Sequence, residues 1–170
     1  MLSCLKPSSR LDGTVQPIWH QRIELDIDGN HEDLDGLDLM AGELHQLVKR
    51  VKEDGDGKVV LGGFSMGAHT ALHAVYRSGV QVDACLALSS YLVRSSAVYK
   101  YLEDQRFAKP PPLLMCHGLS DVIVPPRWAE ETGLALKKQG VAVNLKFYEG
   151  LGHQPGGKMI TDAFSWVEQL

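Results

Sequence analysis

One tight turn, at residues 63–67, constrains the fold more than any other segment of this 170-residue chain. Its sequence is Gly-Phe-Ser-Met-Gly, with Ser65 at the centre. The preceding residues 58–63 have the apolar character of a strand buried on both faces, and the pattern after the turn predicts a helix over residues 66–77. A strand that passes directly into a helix is half of a parallel βα unit. We therefore expect parallel strand pairing in this chain.

The rest of the chain repeats the alternation of strands and helices. Apolar residues spaced three and four apart predict an amphipathic helix over residues 34–53, and the turn-forming residues 54–57 end it. Further strands are predicted at residues 82–88, 113–116 and 144–148, and further helices at 97–106, 128–138 and 158–170. This order predicts the α/β class, with a mostly parallel sheet covered by helices on both faces.

The first 33 residues fit this alternation poorly because prolines and glycines interrupt them. We expect residues 1–33 to form an irregular, extended lead-in with at most one short edge strand, at residues 23–27. Residues 34–170 are expected to form a single α/β domain. A hydrophobic fraction of 44% and a charged fraction of 22% are typical of one globular domain.

Charge and hydropathy exclude some classes of function. The net charge is −4 and the basic residues are scattered, which argues against nucleic-acid binding. No apolar stretch approaches the ~18 residues of a membrane span, and no secretory signal is recognisable at the amino terminus. We expect a cytoplasmic protein without an integral membrane segment, whose cysteines are mostly buried, reduced thiols.

Two further segments place polar side chains directly after predicted strands. Asp121 follows the strand at 113–116, and His153 follows the strand at 144–148. The carboxyl ends of parallel strands meet at one edge of the sheet, where α/β proteins build their sites. Ser65, Asp121 and His153 also occur in the chain order of an α/β-hydrolase triad. We predict Ser65 as nucleophile, His153 as its base and Asp121 as the carboxylate that orients the imidazole.

The turn around Ser65 has its own requirements. Gly63 and Gly67 are expected because side chains at these positions would collide in so tight a bend. The helix that begins at Met66 directs its first amide groups toward the serine. We predict the Met66 amide as an oxyanion donor and expect no metal ion or other cofactor.

Four segments resemble the acyl-protein thioesterase and lysophospholipase-like branch of the α/β-hydrolases. They are residues 62–67, 87–90, 117–125 and 148–153, and weaker similarity extends back to about residue 10. The resemblance implies an α/β-hydrolase fold and hydrolysis of thioester-linked fatty acyl groups on proteins. Depalmitoylation is the foremost expectation, and lysophospholipids or small carboxylesters are the other implied substrates.

The chain departs from this family before residue 10. Family members have a strand, a His-Gly-x-Gly-Asp loop, a helix and further strands ahead of the segment that residues 10–19 resemble. That loop supplies one oxyanion donor, and loss of one donor costs about 10²- to 10³-fold in rate. We therefore expect an amino-terminally truncated fold with reduced activity. The alternative is an impaired family member that acts as a binding module or is a non-functional isoform.

The same departure leaves the strand at residues 58–63 without its usual neighbour. An unpaired strand edge can pair with another chain, so homo-association through this edge is expected.

The remaining histidines are interpreted more simply. His69 and His73 lie four residues apart on the predicted helix, a spacing that can bind zinc, but no H-E-x-x-H pattern accompanies them. We interpret both as polar or partly buried helix residues and His117 as a structural hydrogen-bonding residue. The other three are expected at the surface: His20, His31 and His45.

Overall fold

The computed structural model describes residues 4–7, 15–21, 25–29, 31–104 and 109–170. In these parts of the chain it contains six strands and five helices. The strands are β1 (Cys4–Pro7), β2 (Val15–Ile18), β3 (Val60–Phe64), β4 (Ala84–Leu88), β5 (Leu113–Gly118) and β6 (Val143–Tyr148). The helices are α1 (Leu34–Glu53), α2 (Met66–Tyr76), α3 (Ala97–Asp104), α4 (Pro126–Lys138) and α5 (Gly157–Val167).

Strands β3 to β6 form one parallel sheet in the order β3-β4-β5-β6. The strand ends are in register, since Phe64 is opposite Leu88 and Gly118 is opposite Tyr148. The loops that follow β3, β5 and β6 therefore leave from the same edge of the sheet. Strands β1 and β2 form a separate antiparallel pair. Among the described strands, none pairs with the outer edge of β3.

Helices cover both faces of the parallel sheet. Alternate residues of a strand point to opposite faces, and each face has its own apolar cluster. One cluster joins strand residues such as Cys85 and Met115 to buried residues of α1, α2, α3 and α4. The other joins Leu88 and Leu114 to Met159 of α5. The predicted α/β architecture is confirmed.

Most predicted elements agree with the structure, and the differences lie at their ends. Helix α1 has the predicted bounds. Helix α4 starts two residues earlier than predicted, at Pro126, because proline suits the first turn, where no amide donor is needed. Helix α3 ends at Asp104, and residues 105–106 of the predicted helix lie outside the described residues.

The lead-in differs more from expectation. Strands β1 and β2 pair where an irregular segment was expected. The short edge strand expected at residues 23–27 is not a strand at residues 25–27, and residues 23–24 lie outside the described residues. The division into residues 1–33 and 34–170 stays a prediction.

The start of α1 is fixed by a side-chain cap. Asp33 Oδ1 accepts a hydrogen bond from the Gly36 amide at 3.0 Å, and its Oδ2 accepts one from the Gln21 amide at 2.8 Å. Such a cap pairs a helix amide that has no carbonyl partner within the helix. It also fixes the backbone next to Glu32.

Two further expectations can be compared with the described residues. Cys85 and Cys116 are buried and free, as predicted, and burial raises the pKa of the Cys85 thiol to about 12. No helix in the described part of the chain combines the length and the apolar character of a membrane span.

Candidate active site

Ser65 occupies a strained turn between β3 and α2. Its backbone has φ 52° and ψ −118°, a positive φ that residues with a side chain rarely adopt. The turn is tight because a Cβ atom on Gly63 would lie 2.3 Å from the Gly67 carbonyl carbon. Gly63 is therefore required. Gly67 has more room than predicted, since its Cβ atom would meet only Trp19, at 3.6 Å.

The three predicted triad residues are connected by two hydrogen bonds. His153 Nε2 lies 3.0 Å from Ser65 Oγ, and His153 Nδ1 lies 2.7 Å from Asp121 Oδ2. The carboxylate accepts the Nδ1 proton, which leaves Nε2 as the nitrogen that can accept the serine proton. Ser65 Oγ makes no capping bond to α2, so the hydroxyl remains available to His153.

Asp121 is held from several sides. Its Oδ1 accepts hydrogen bonds from the amides of Ile123 at 2.9 Å and Val124 at 2.8 Å. Its Oδ2 also lies 3.3 Å from His117 Nε2, which donates to the Val124 carbonyl at 2.9 Å. Burial lowers the pKa of His117 below its ordinary value, so this imidazole is neutral near pH 7. His117 has the predicted hydrogen-bonding position.

The loop that carries His153 crosses over the end of β5. Leu119 donates its amide to the Tyr148 carbonyl at 2.9 Å, and Ser120 donates to the Leu151 carbonyl at 3.0 Å. The crossing requires glycine at position 118, because a Cβ atom there would lie 2.1 Å from the Leu151 oxygen. This contact brings the loop that follows β6 back toward Ser65.

Met66 is the first residue of α2, directly after Ser65. The first amides of a helix have no carbonyl partner within the helix, so the Met66 N–H is available beside the serine. Ser89, at the end of the neighbouring strand β4, also has a positive φ, of 49°. Among described residues other than glycine, positive φ occurs only at these two serines, at the site edge of adjacent strands.

The other histidines lie partly where they were expected. His31 and His45 are exposed, as predicted, whereas the surface prediction for His20 is wrong. His20 is 2% exposed, and its Nδ1 lies 3.2 Å from Thr70 Oγ1. No local pattern distinguishes it, because the residues that bury it lie on α2.

Comparison with known proteins gives a consistent family signal. A family model described as phospholipase/carboxylesterase matches residues 3–170. Lysophospholipase-like protein 1 of Mus musculus is 31% identical over 164 residues, covering 95% of this chain and 68% of that protein. Acyl-protein thioesterase 1 of Aspergillus fumigatus is 28% identical over 167 residues, covering 93% of this chain and 69% of that protein.

Solved structures share the fold. Acyl-protein thioesterase 2 of Zea mays superposes with a TM-score of 0.80 at 26% identity, covering 98% of this chain and 78% of that one. SOBER1 of Arabidopsis thaliana superposes with a TM-score of 0.85 at 22% identity, covering 98% of this chain and 80% of that one. At that identity the likeness to SOBER1 concerns the fold alone.

Proposed function

The chain belongs to the phospholipase/carboxylesterase family of the α/β-hydrolases, and we propose that it is a serine hydrolase of acyl thioesters or acyl esters. Ser65 attacks the acyl carbonyl while His153 takes the hydroxyl proton. His153 then returns that proton to the leaving thiolate or alkoxide. Water, activated by the same imidazole, releases the fatty acid and restores Ser65.

The observation that carries this proposal is the continuous hydrogen-bonded path from Ser65 Oγ through His153 to Asp121. Asp121 stabilises the imidazolium that forms when His153 takes the proton, and its two amide donors keep the carboxylate aligned. The Met66 amide faces the negative charge that develops on the carbonyl oxygen. Each group acts on a different part of the same transition state.

The surroundings of Ser65 favour a substrate that carries an acyl chain. The loop that carries Asp121 also exposes three apolar side chains: Leu119 at 48%, Val122 at 89% and Ile123 at 50%. Apolar surface next to a nucleophile can bind a hydrocarbon chain through the hydrophobic effect. The names of the thioesterase relatives favour acylated proteins as substrates. Palmitoylated proteins in the cytoplasm are the first candidates, because the sequence resemblance implies them. Lysophospholipids and small carboxylesters are the second candidates.

Active-site labelling tests the nucleophile. A fluorophosphonate probe should label the wild-type chain at Ser65 and should fail to label Ser65→Ala. Ser120→Ala is the matched control, because Ser120 is exposed on the neighbouring loop and should label as the wild type does. Equal labelling of Ser65→Ala would contradict the proposal.

A pair of substrates distinguishes the two candidate chemistries. A palmitoyl-thioester probe and p-nitrophenyl octanoate should both be hydrolysed, and the thioester should give the higher kcat/KM. A higher value for the ester would favour a broad carboxylesterase. A folded, monomeric chain that is inert toward both substrates would support the non-catalytic binding module instead.

A further inference from the structure

A buried cluster outside the triad consists of Glu32, His69 and His73. Glu32 directly precedes the cap of α1, and the two histidines lie one turn apart on α2. Their side chains are 8%, 4% and 0% exposed, respectively. One ligand atom from each residue lies within 4.8 Å of the others.

Hydrogen bonds around the cluster set which atoms face its centre. His69 Nδ1 lies 3.0 Å from the Tyr91 carbonyl and must donate its proton there, so Nε2 is the lone-pair nitrogen. Glu32 Oε2 accepts the Ala97 amide at 2.9 Å, which turns Oε1 toward the histidines. His69 Nε2 and Glu32 Oε1 are then two acceptors that face each other at 3.8 Å. A cation held between these two atoms would be bound by both.

The two distances from Glu32 to the histidines suit a small divalent ion. Zinc bonds of about 2.0–2.1 Å in tetrahedral geometry place neighbouring ligand atoms roughly 3.4 Å apart. Glu32 Oε1 lies 2.9 Å from His73 Nε2 and 3.8 Å from His69 Nε2, on either side of that value. The ligand atoms of the three residues all lie within 4.8 Å of one another, so the two imidazoles close around the ion when it binds. Two imidazoles and one carboxylate suit zinc better than magnesium or calcium, which prefer oxygen ligands. We propose that Glu32, His69 and His73 form a binding site for one Zn²⁺ ion.

Arg77 opposes this binding. Its Nε donates to His73 Nδ1 at 3.1 Å, which keeps the His73 proton on Nε2, where it donates to Glu32. Zinc requires that Nε2 be deprotonated and that Nδ1 carry the proton, so Arg77 must give up its bond to the ring. Arg77 can do so because its guanidinium also pairs with Asp38 at 2.5 Å, near the surface. The apo hydrogen bonds and zinc therefore compete for the same imidazole.

The sequence alone indicates part of this zinc site. The spacing of His69 and His73 is that of a helical zinc pair, but the acidic partner lies 41 residues before His73. Only the packing of the segment before α1 against α2 brings the carboxylate to the histidines. The site does not depend on the reaction proposed for Ser65.

Metal retention tests the site directly. Chain stripped with EDTA, incubated with ZnCl₂ and passed through a desalting column should retain one zinc per chain by mass spectrometry, with a raised Tm. Glu32→Gln and His69→Gln should each bind zinc at least ten-fold more weakly. His45→Gln is the control, because His45 is exposed on α1, and it should retain the wild-type stoichiometry.

Arg77→Met provides a readout that a merely structural cluster would not give. Removal of the competing donor should strengthen zinc binding several-fold, although the loss of the Asp38 ion pair lowers stability without metal. The proposal is overturned if the wild type retains no zinc, or if Glu32→Gln retains as much as the wild type. If His69→Gln does not fold, circular dichroism will reveal it, and Glu32→Gln and Arg77→Met decide the outcome.

Discussion

At the scale of single residues, Asp121 is held in place by four groups around its carboxylate. It is 4% exposed, its Oδ1 accepts two amide protons, and its Oδ2 faces two imidazoles. This arrangement fixes the His153 tautomer that leaves Nε2 ready to accept a proton. For kcat, the charge and the hydrogen-bonding character of the group at position 121 should therefore matter more than its size.

Asp121→Asn should lower kcat by about 10⁴-fold with folding intact, because an amide at this position favours the wrong imidazole tautomer. The measurement is kcat for the best ester or thioester substrate, with circular dichroism as a check on folding. Asp56→Asn, at an exposed position between α1 and β3, should keep wild-type kcat. A loss of less than ten-fold in Asp121→Asn would argue against the assigned role.

His117 should make stability depend on pH. Burial lowers the pKa of His117 in the folded protein. As pH falls through about 6.5, the His117 imidazole of the unfolded chain therefore takes up a proton that the folded protein does not yet bind. The free energy of unfolding should therefore fall as pH decreases below about 6.5, by up to about 1.4 kcal/mol per pH unit from this residue. Denaturant unfolding between pH 7.5 and 5 should show a smaller slope for His117→Gln. An unchanged slope would contradict the prediction.

At the scale of elements, the crossing of the β6–α5 loop over β5 determines where His153 lies. The crossing depends on Gly118, whose missing Cβ makes room for the Leu151 carbonyl. The loop that follows β6 reaches Ser65 and Asp121 only by passing over the end of β5.

Gly118→Ala should displace this loop, because backbone atoms leave the new methyl group no space. We expect a loss of about 1–3 kcal/mol in unfolding free energy and at least a 10²-fold loss in kcat. Gly42→Ala is the matched control: an added Cβ meets nothing within 4 Å, on the exposed face of α1. That variant should gain about 0.5–1 kcal/mol and keep wild-type kcat, and equal behaviour of the two variants would refute the crossing argument.

Some features of the fold and of the candidate site could be predicted from the sequence, and others could not. Hydrophobic periodicity predicted the bounds of α1. The strand-to-helix turn and the order along the chain indicated Ser65, Asp121 and His153 as candidate site residues. The periodicity and the turn are local, so a short window contains them, and the order of the three residues is visible along the chain without any packing. The packing role of Gly118 and the burial of His20 were not predictable, because each depends on atoms from a segment distant in the chain.

At the scale of the whole molecule, the outer edge of β3 has no strand partner among the described residues. Open backbone donors and acceptors at such an edge can pair with a second chain. Val60 and Leu61 are half-buried at this edge and add apolar surface.

Self-association through this edge should be concentration-dependent, and Val60→Lys should reduce it, because a charged side chain opposes edge pairing. Sedimentation velocity at concentrations from low to high micromolar checks the expectation. Val51→Lys, a similar change at an exposed position of α1, should associate as the wild type does. A wild-type chain that remains monomeric throughout would contradict the prediction.

The distance along the chain between Ser65 and His153, 88 residues, also has a consequence for folding. Their hydrogen bond closes only after β3, β4, β5 and β6 have all paired, and contacts between residues so far apart form late because closing a long loop costs entropy. Helix content can recover earlier, since its contacts are local. During refolding, the reactivity of Ser65 toward the fluorophosphonate probe should therefore recover later than helix content, and it would report when the sheet is complete.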